Sequence, residues 1–139
     1  MKIEFTIPGD PYGKGRPRFT GTGRTYTPAK TANYENLVKL AFAEKYPDFV
    51  PLEGEIVLLV KAYKSIPKSA TKKRHEAMAA GKIKPTSKPD YDNIGKTVSD
   101  ALNKLCYHDD AQIVDGRVMK FYSETPRVEV YISTGDETE

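Results

Sequence analysis

Ile56-Val57-Leu58-Leu59-Val60 is the longest unbroken aliphatic run in the chain, and it constrains the fold more than any other segment. On a strand, successive side chains point to opposite faces, so consecutive apolar residues call for cover on both sides. The run predicts a central strand over residues 55–63, buried on both faces. Its neighbours announce themselves by alternation. Ile3, Phe5 and Ile7 interleave with Lys2, Glu4 and Thr6, predicting a strand over 2–7 that Pro8-Gly9 stops. Val128, Val130 and Ile132 alternate likewise, and residues 113–122 and 127–132 read as a hairpin around Ser123-Glu124-Thr125-Pro126.

Elsewhere the period changes to that of a helix. Tyr34, Leu37, Val38, Ala41 and Phe42 predict a helix from Thr31 to just before Pro47. Ile94, Val98, Ala101, Leu102 and Leu105 predict another from about Asn93 to Leu105. Between them a short helix starts after Ser69 as N-cap and ends at Gly81 as C′ residue, with a basic first half and a small apolar second half. Asp10–Lys30 and residues 82–89 read as loops. The expected fold is a single-domain α+β protein with a small mixed β-sheet and packed helices. The domain covers residues 1–134, and residues 135–139 form a frayed acidic tail.

The chain has 139 residues, enough for one domain that buries a core without staples. One cysteine, Cys106, excludes an internal disulfide and a multi-thiolate zinc site. No apolar run approaches the roughly 20 residues of a membrane span, and Met1–Ile7 lacks a signal-peptide core, so a soluble cytoplasmic protein is expected. Net charge is only +3, but it is unevenly placed. Residues 1–30 carry a net +4 and residues 61–88 a net +8, leaving the rest at −9. Much of that acidity falls between Asp90 and Asp115. Basic surface beside concentrated carboxylates suits metal-dependent chemistry on a polyanion; an unevenly charged solvated surface is the plainer alternative.

Lys88-Pro89-Asp90-Tyr91-Asp92-Asn93 opens the later helix. In an extended segment Asp90 and Asp92 project to the same side, where two carboxylates repel unless a cation or proton intervenes. Helix capping explains one aspartate, not two. A calcium loop is excluded, because Ile94 stands where a third oxygen belongs and Ala101 replaces the closing glutamate. Asp109 and Asp110 join the pair only if the chain reverses after Leu105. Lys96 stands four residues from both Asp92 and Asp100, either as an ordinary helix-surface ion pair or as a cation beside a metal site.

These segments, Lys88-Pro-Asp-Tyr-Asp-Asn-Ile-Gly-Lys96, Asp100-Ala-Leu-Asn103 and Asp109-Asp-Ala-Gln-Ile-Val-Asp115, in that order, resemble the RusA family of Holliday junction resolvases. Gly13-Lys14-Gly15-Arg16-Pro17-Arg18 with Tyr26-Thr27-Pro28 is similar to the opening motif of its prophage-type members. The resemblance runs from about residue 4 to residue 132. It implies a homodimeric, magnesium-dependent endonuclease, with Mn²⁺ as an alternative ion, that nicks four-way or branched DNA symmetrically. It places the family's essential aspartates on Asp90, Asp92 and Asp110, as metal ligands, and its essential lysine on Lys96.

The basic residues extend the reading. Lys14, Arg16, Arg18 and Arg24 form a candidate phosphate-binding loop; Lys72, Lys73, Arg74 and Lys88 widen the candidate DNA footprint. Tyr12, Tyr26 and Tyr91, in loops beside charged motifs, are candidate base platforms, whereas Tyr34 and Tyr131 fit packed faces. His108 reads as a polar turn residue, and Cys106 as a small buried one. Two rival readings stay open: a branched-DNA binding protein without turnover, and a metal-dependent phosphoesterase acting on other substrates.

Overall fold

The computed structural model describes residues 1–13, 18–19, 25–26 and 29–135, with backbone alone at residues 18–19 and 25–26. Strand β1 (Lys2–Pro8) alternates as its sequence predicts, with Ile3, Phe5 and Ile7 buried. Within the stretch expected to be loop, β2 (Arg18–Phe19) and β3 (Thr25–Tyr26) pair antiparallel as a small ribbon. Helix α1 (Ala29–Lys45) buries Thr31, Val38 and Phe42, with Tyr34, Leu37 and Ala41 packed beside them. Strand β4 (Ile56–Ser65) contains the aliphatic run.

Helix α2 (Lys72–Ala79) begins later than expected. Its N-cap is Thr71, whose hydroxyl accepts from the Arg74 amide at 3.3 Å, and not Ser69. Gly81 occupies its predicted place after the helix at φ +80°, a conformation glycine adopts without strain. Helix α3 (Tyr91–Leu102) is followed by a single 3-10 turn (Asp110–Gln112), β5 (Ile113–Ser123) and β6 (Arg127–Thr134). The result is one α+β domain: a four-stranded mixed sheet and three helices.

Strand order is β1-β6-β4-β5, with β4 parallel to β5 and antiparallel to β6. The expected hairpin of residues 113–122 and 127–132 is therefore absent, because β4 lies between the two strands. Alternation tells a strand which face to bury, not which neighbour to take. The aliphatic run takes the interior position, where both its edges are hydrogen-bonded. Glu124-Thr125-Pro126 spans the end of β4, a gap of about 10 Å that three linking residues can bridge. Arg127 holds this connection, donating to the Thr125 carbonyl at 2.8 Å and the Ser123 hydroxyl at 3.1 Å.

Expected cover on both faces of β4 is also corrected. Ile56, Leu58, Val60 and Ala62 are buried in the core shared with α1 and α3. Val57, Leu59, Lys61 and Tyr63, on the other face, are only half-buried. That open face is laced by side chains: Tyr63 stacks on Phe121 at 5.1 Å, and Arg127 lies 3.9 Å from the Tyr63 ring and 2.8 Å from Glu129. Among the described residues no helix is long and apolar enough to cross a membrane.

Candidate active site

Helix α3 is the spine of the site. Ile94, Thr97, Val98, Ala101 and Leu102 form its buried stripe, packed into the core. Gly95 permits close approach to β5, since a Cβ there would meet the Val118 side chain at 3.0 Å. Asp92, Lys96 and Asp100, spaced by four residues, share the opposite face.

At the head of α3 the carboxylates are not arranged as an extended segment. Asp90 is extended (φ −69°, ψ 148°), but the helix begins at Tyr91, so Asp92 already lies in its first turn. Proline restricts the residue before it, Lys88, and leaves those after it free to turn. The Asp90 side chain makes no capping hydrogen bond, so capping does not account for it. Asp92 accepts from the Asn93 amide at 3.0 Å through one oxygen. Both aspartates are exposed, as is Lys88. Lys88, Pro89, Asp90 and Asn93 line a cleft of about 480 Å³ together with Pro11, Tyr12 and Gly13. Gly13 seats the N-terminal segment there, because a Cβ at that position would lie 2.9 Å from the Pro89 Cβ.

The chain reverses at the foot of the helix, three residues before the expected end at Leu105. Asn103 leaves helical geometry (φ −59°, ψ 129°) and Lys104 adopts φ +69°. Tyr107, fully buried, donates its hydroxyl to the Ser99 carbonyl at 2.6 Å and locks the turn. Burial pushes its ionisation well above the ordinary tyrosine range.

Asp110 returns to this end of the helix, where its amide donates to the Asn103 side-chain oxygen at 3.1 Å. A hydrogen bond from the neighbouring Asp109 carboxyl raises the Asp110 pKa, with some desolvation and the charges of Asp109 and Asp100 adding, while Lys96 pulls it down. Asp110 is thus within electrostatic reach of Lys96 and Asp100. Asp90 stands at the other end of a 12-residue helix, roughly 18 Å long.

Among the described residues, no three His, Cys, Asp or Glu side chains converge closely enough to enclose a metal ion. The carboxylates instead form an open set: Asp90 and Asp92 at the head, Asp110 with Asp109 at the foot. Hard oxygen donors in ones and twos suit Mg²⁺, which completes its shell with water and phosphate oxygens. Asp110, whose pKa is raised beside the Asp109 carboxyl, is in the electrostatic situation that a bound cation relieves.

Lys96 is exposed, and the ion pairs among the described residues do not include it. Lys72, Lys73 and Arg74 are exposed in the first turn of α2. Arg18 lies on β2, and Lys14, Arg16 and Arg24 fall outside the described residues. Tyr12 is not a free platform: its hydroxyl pairs with Thr31 at 3.2 Å and its ring packs against Tyr34. Tyr91, 65 % exposed, remains open beside Asp92, whereas the Tyr26 side chain is outside the described set. His108 pairs with Glu53 at 2.9 Å. Cys106 is buried and its thiol is pushed up to about 12, which keeps it protonated and unreactive.

Sequence reasoning missed Gln112. Its side-chain oxygen accepts from the amides of His108 and Asp109, at 2.8 and 3.0 Å, and its nitrogen donates to the carbonyls of Leu52 and Gly54, both at 3.0 Å. The turn that delivers Asp110 is thereby fastened to the segment leading into β4. Only its place inside the Asp-Asp-Ala-Gln motif marked the residue in the sequence.

Comparison with known proteins identifies the family. The family model of the endodeoxyribonuclease RusA matches residues 8–133. YqaN of Bacillus subtilis strain 168, described as an uncharacterized protein, is 44 % identical over 135 residues, covering 94 % of each chain. With the match extending from the end of β1 to the end of β6, through every segment that carries a candidate residue, the chain belongs to the RusA endodeoxyribonuclease family.

Proposed function

We propose that this protein is a magnesium-dependent, structure-selective endonuclease that resolves four-way DNA junctions by paired symmetric nicks, acting as a cytoplasmic homodimer in DNA recombination and repair. The observation that carries the reading is the exposed face of α3 within a chain of an endodeoxyribonuclease family: Asp90 and Asp92 at its head, Lys96 midway, Asp110 at its foot. The head aspartates are exposed, and the Asp90 side chain makes no capping hydrogen bond. Asp90 and Asp92 would hold Mg²⁺ at the head of α3 and Asp110 at its foot, each through few protein oxygens, with Mn²⁺ as a substitute. Bound there, such an ion supplies an activated water and neutralises charge at the scissile phosphate.

The chain's own residues do the rest. Lys88 borders the cleft beside Asp90 and can meet a backbone phosphate. Lys72, Lys73 and Arg74 crowd the positive end of α2 without an acidic residue in its first turn, an arrangement that an anionic partner offsets. Lys96 faces the charge that develops as the phosphodiester breaks. A two-fold dimer presents two such sites, which suits symmetric incision of two strands.

The test is incubation of the purified protein with a labelled four-way junction, with and without Mg²⁺, beside Asp90→Asn and Asp92→Asn. Each substitution removes a ligand charge while sparing the basic surface, so cleavage is lost and junction binding is kept. Mg²⁺-dependent cutting retained by either variant refutes metal binding by the Asp90–Asp92 pair. Junction binding by the wild type without cutting would favour the non-catalytic reading. Sedimentation of the wild type tests the dimer.

A further inference from the structure

Two lysines of the sheet reach the segment that introduces Asp90. Lys64 on β4 donates to the Ser87 hydroxyl at 3.0 Å and to the Lys88 carbonyl at 2.7 Å. Lys120 on β5 donates to the Ser87 carbonyl at 2.7 Å. We propose that Lys64 and Lys120 are positioning residues that clamp the Ser87–Lys88 main chain and so fix Asp90 and the start of α3. The functional part of this proposal rests on the nuclease reading above.

The strand register explains how two cations come to act together. Ala62 pairs with Lys120 and Lys64 with Tyr122 across the parallel β4–β5 ladder. Ala62 is a core residue, and residues two apart share a face, so both lysines stand on the helix-covered side of the sheet. They lie at its far end, diagonal to each other, and both are half-buried. A lysine on a core face costs free energy unless its ammonium is satisfied. Here the ammoniums turn to consecutive main-chain carbonyls, at distances typical of short charge-assisted bonds.

What they hold needs holding. Pro89 has no N–H, so the main chain cannot anchor itself by a donor at that residue. Downstream, the Asp90 carbonyl accepts from the Ile94 amide at 3.1 Å, the first bond of α3. Asp90 is therefore suspended between the helix on one side and the two ammoniums on the other. Donors spent on Ser87 and Lys88 are not available to DNA phosphates, which separates these lysines from a simple basic patch.

The experiment compares Lys64→Met, Lys120→Met and the double variant with wild type, which keep the aliphatic stem and remove the ammonium. Lys120→Arg tests rescue, and Lys39→Met, an exposed site on α1, controls for loss of one charge. Hydrogen exchange of the Asn93 and Ile94 amides, bonded to Asp92 and Asp90, should accelerate about tenfold or more in the double variant, with β4 and β5 unchanged. Single-turnover cleavage of a four-way junction by saturating enzyme in Mg²⁺ should slow about 10–100-fold, as for loss of groups that orient ligands, and Lys120→Arg should recover part of it. Junction affinity and its salt slope should match those of Lys39→Met. Wild-type exchange at Asn93 and Ile94 in the double variant overturns the clamp. So does a full-speed saturated rate with weaker binding and a salt slope lowered by about one per lysine, the mark of direct phosphate contacts. A wild type that cuts no junction refutes the nuclease reading alone, and the exchange result still decides the clamp.

Discussion

Replacing Gln112 by alanine should destabilise the protein through four hydrogen bonds at once. Both lone pairs of its amide oxygen and both N–H groups are engaged, joining the amides of His108 and Asp109 to the carbonyls of Leu52 and Gly54. A hydrogen bond contributes about 0.5–1.5 kcal/mol net, toward the low end where water replaces the lost partner. Three of the four partner groups are exposed and one is part-buried, so Gln112→Ala should cost about 2–3 kcal/mol. For a domain of this size that lowers Tm by about 6–15 °C. Thermal unfolding and urea titration with unchanged m would measure it. Gln112→Glu keeps the acceptor, loses both donors and adds a carboxylate beside Asp109 and Asp110, so it should cost at least as much near neutral pH and recover in acid. A Gln112→Ala protein that melts within about 2 °C of wild type would refute the account, because the turn would then be held by something else.

Two further outcomes follow from the geometry. Lys96→Ala should fold and bind a junction normally but cleave about 10²–10³-fold more slowly under single turnover; a near-normal rate returns Lys96 to an ordinary surface cation. Burial alone would raise the Glu129 carboxyl, but hydrogen bonds from Arg127 and Tyr131 and the charges of Arg127 and Lys61 outweigh it and hold the group below its usual 4.5. A depressed carboxylate stabilises the fold above the unfolded pKa, and that stability disappears as pH falls through the folded value. The stability gap between wild type and Glu129→Gln, read from urea midpoints, should therefore shrink between about pH 7 and about pH 3.5. A constant gap would show that the pair contributes through packing and not charge.

Features set by near neighbours in the chain were legible from residue order alone. Alternation in β1 and β6 depends on two-residue spacing, and the buried stripes of α1 and α3 on spacings of three and four, so their faces were readable before any partner was known. The ordered motifs around Asp90, Lys96 and Asp110 likewise sit in the sequence, and with them the family. Pairing is different, because it is decided by residues far apart. Strands β5 and β6 carry the pattern of a hairpin, yet β4, whose aliphatic run gains most from an interior position, separates them. Helix α3 stops at Leu102 because Tyr107 folds back onto Ser99, a contact no local periodicity encodes. Residue order assigns no role to Lys64 or Lys120, and marks Gln112 only as part of the Asp109–Asp115 motif. Only the docking of the 87–88 segment on the sheet, and of the 108–112 turn on residues 52–54, converts their donors and acceptors into the frame that holds Asp90 and Asp110.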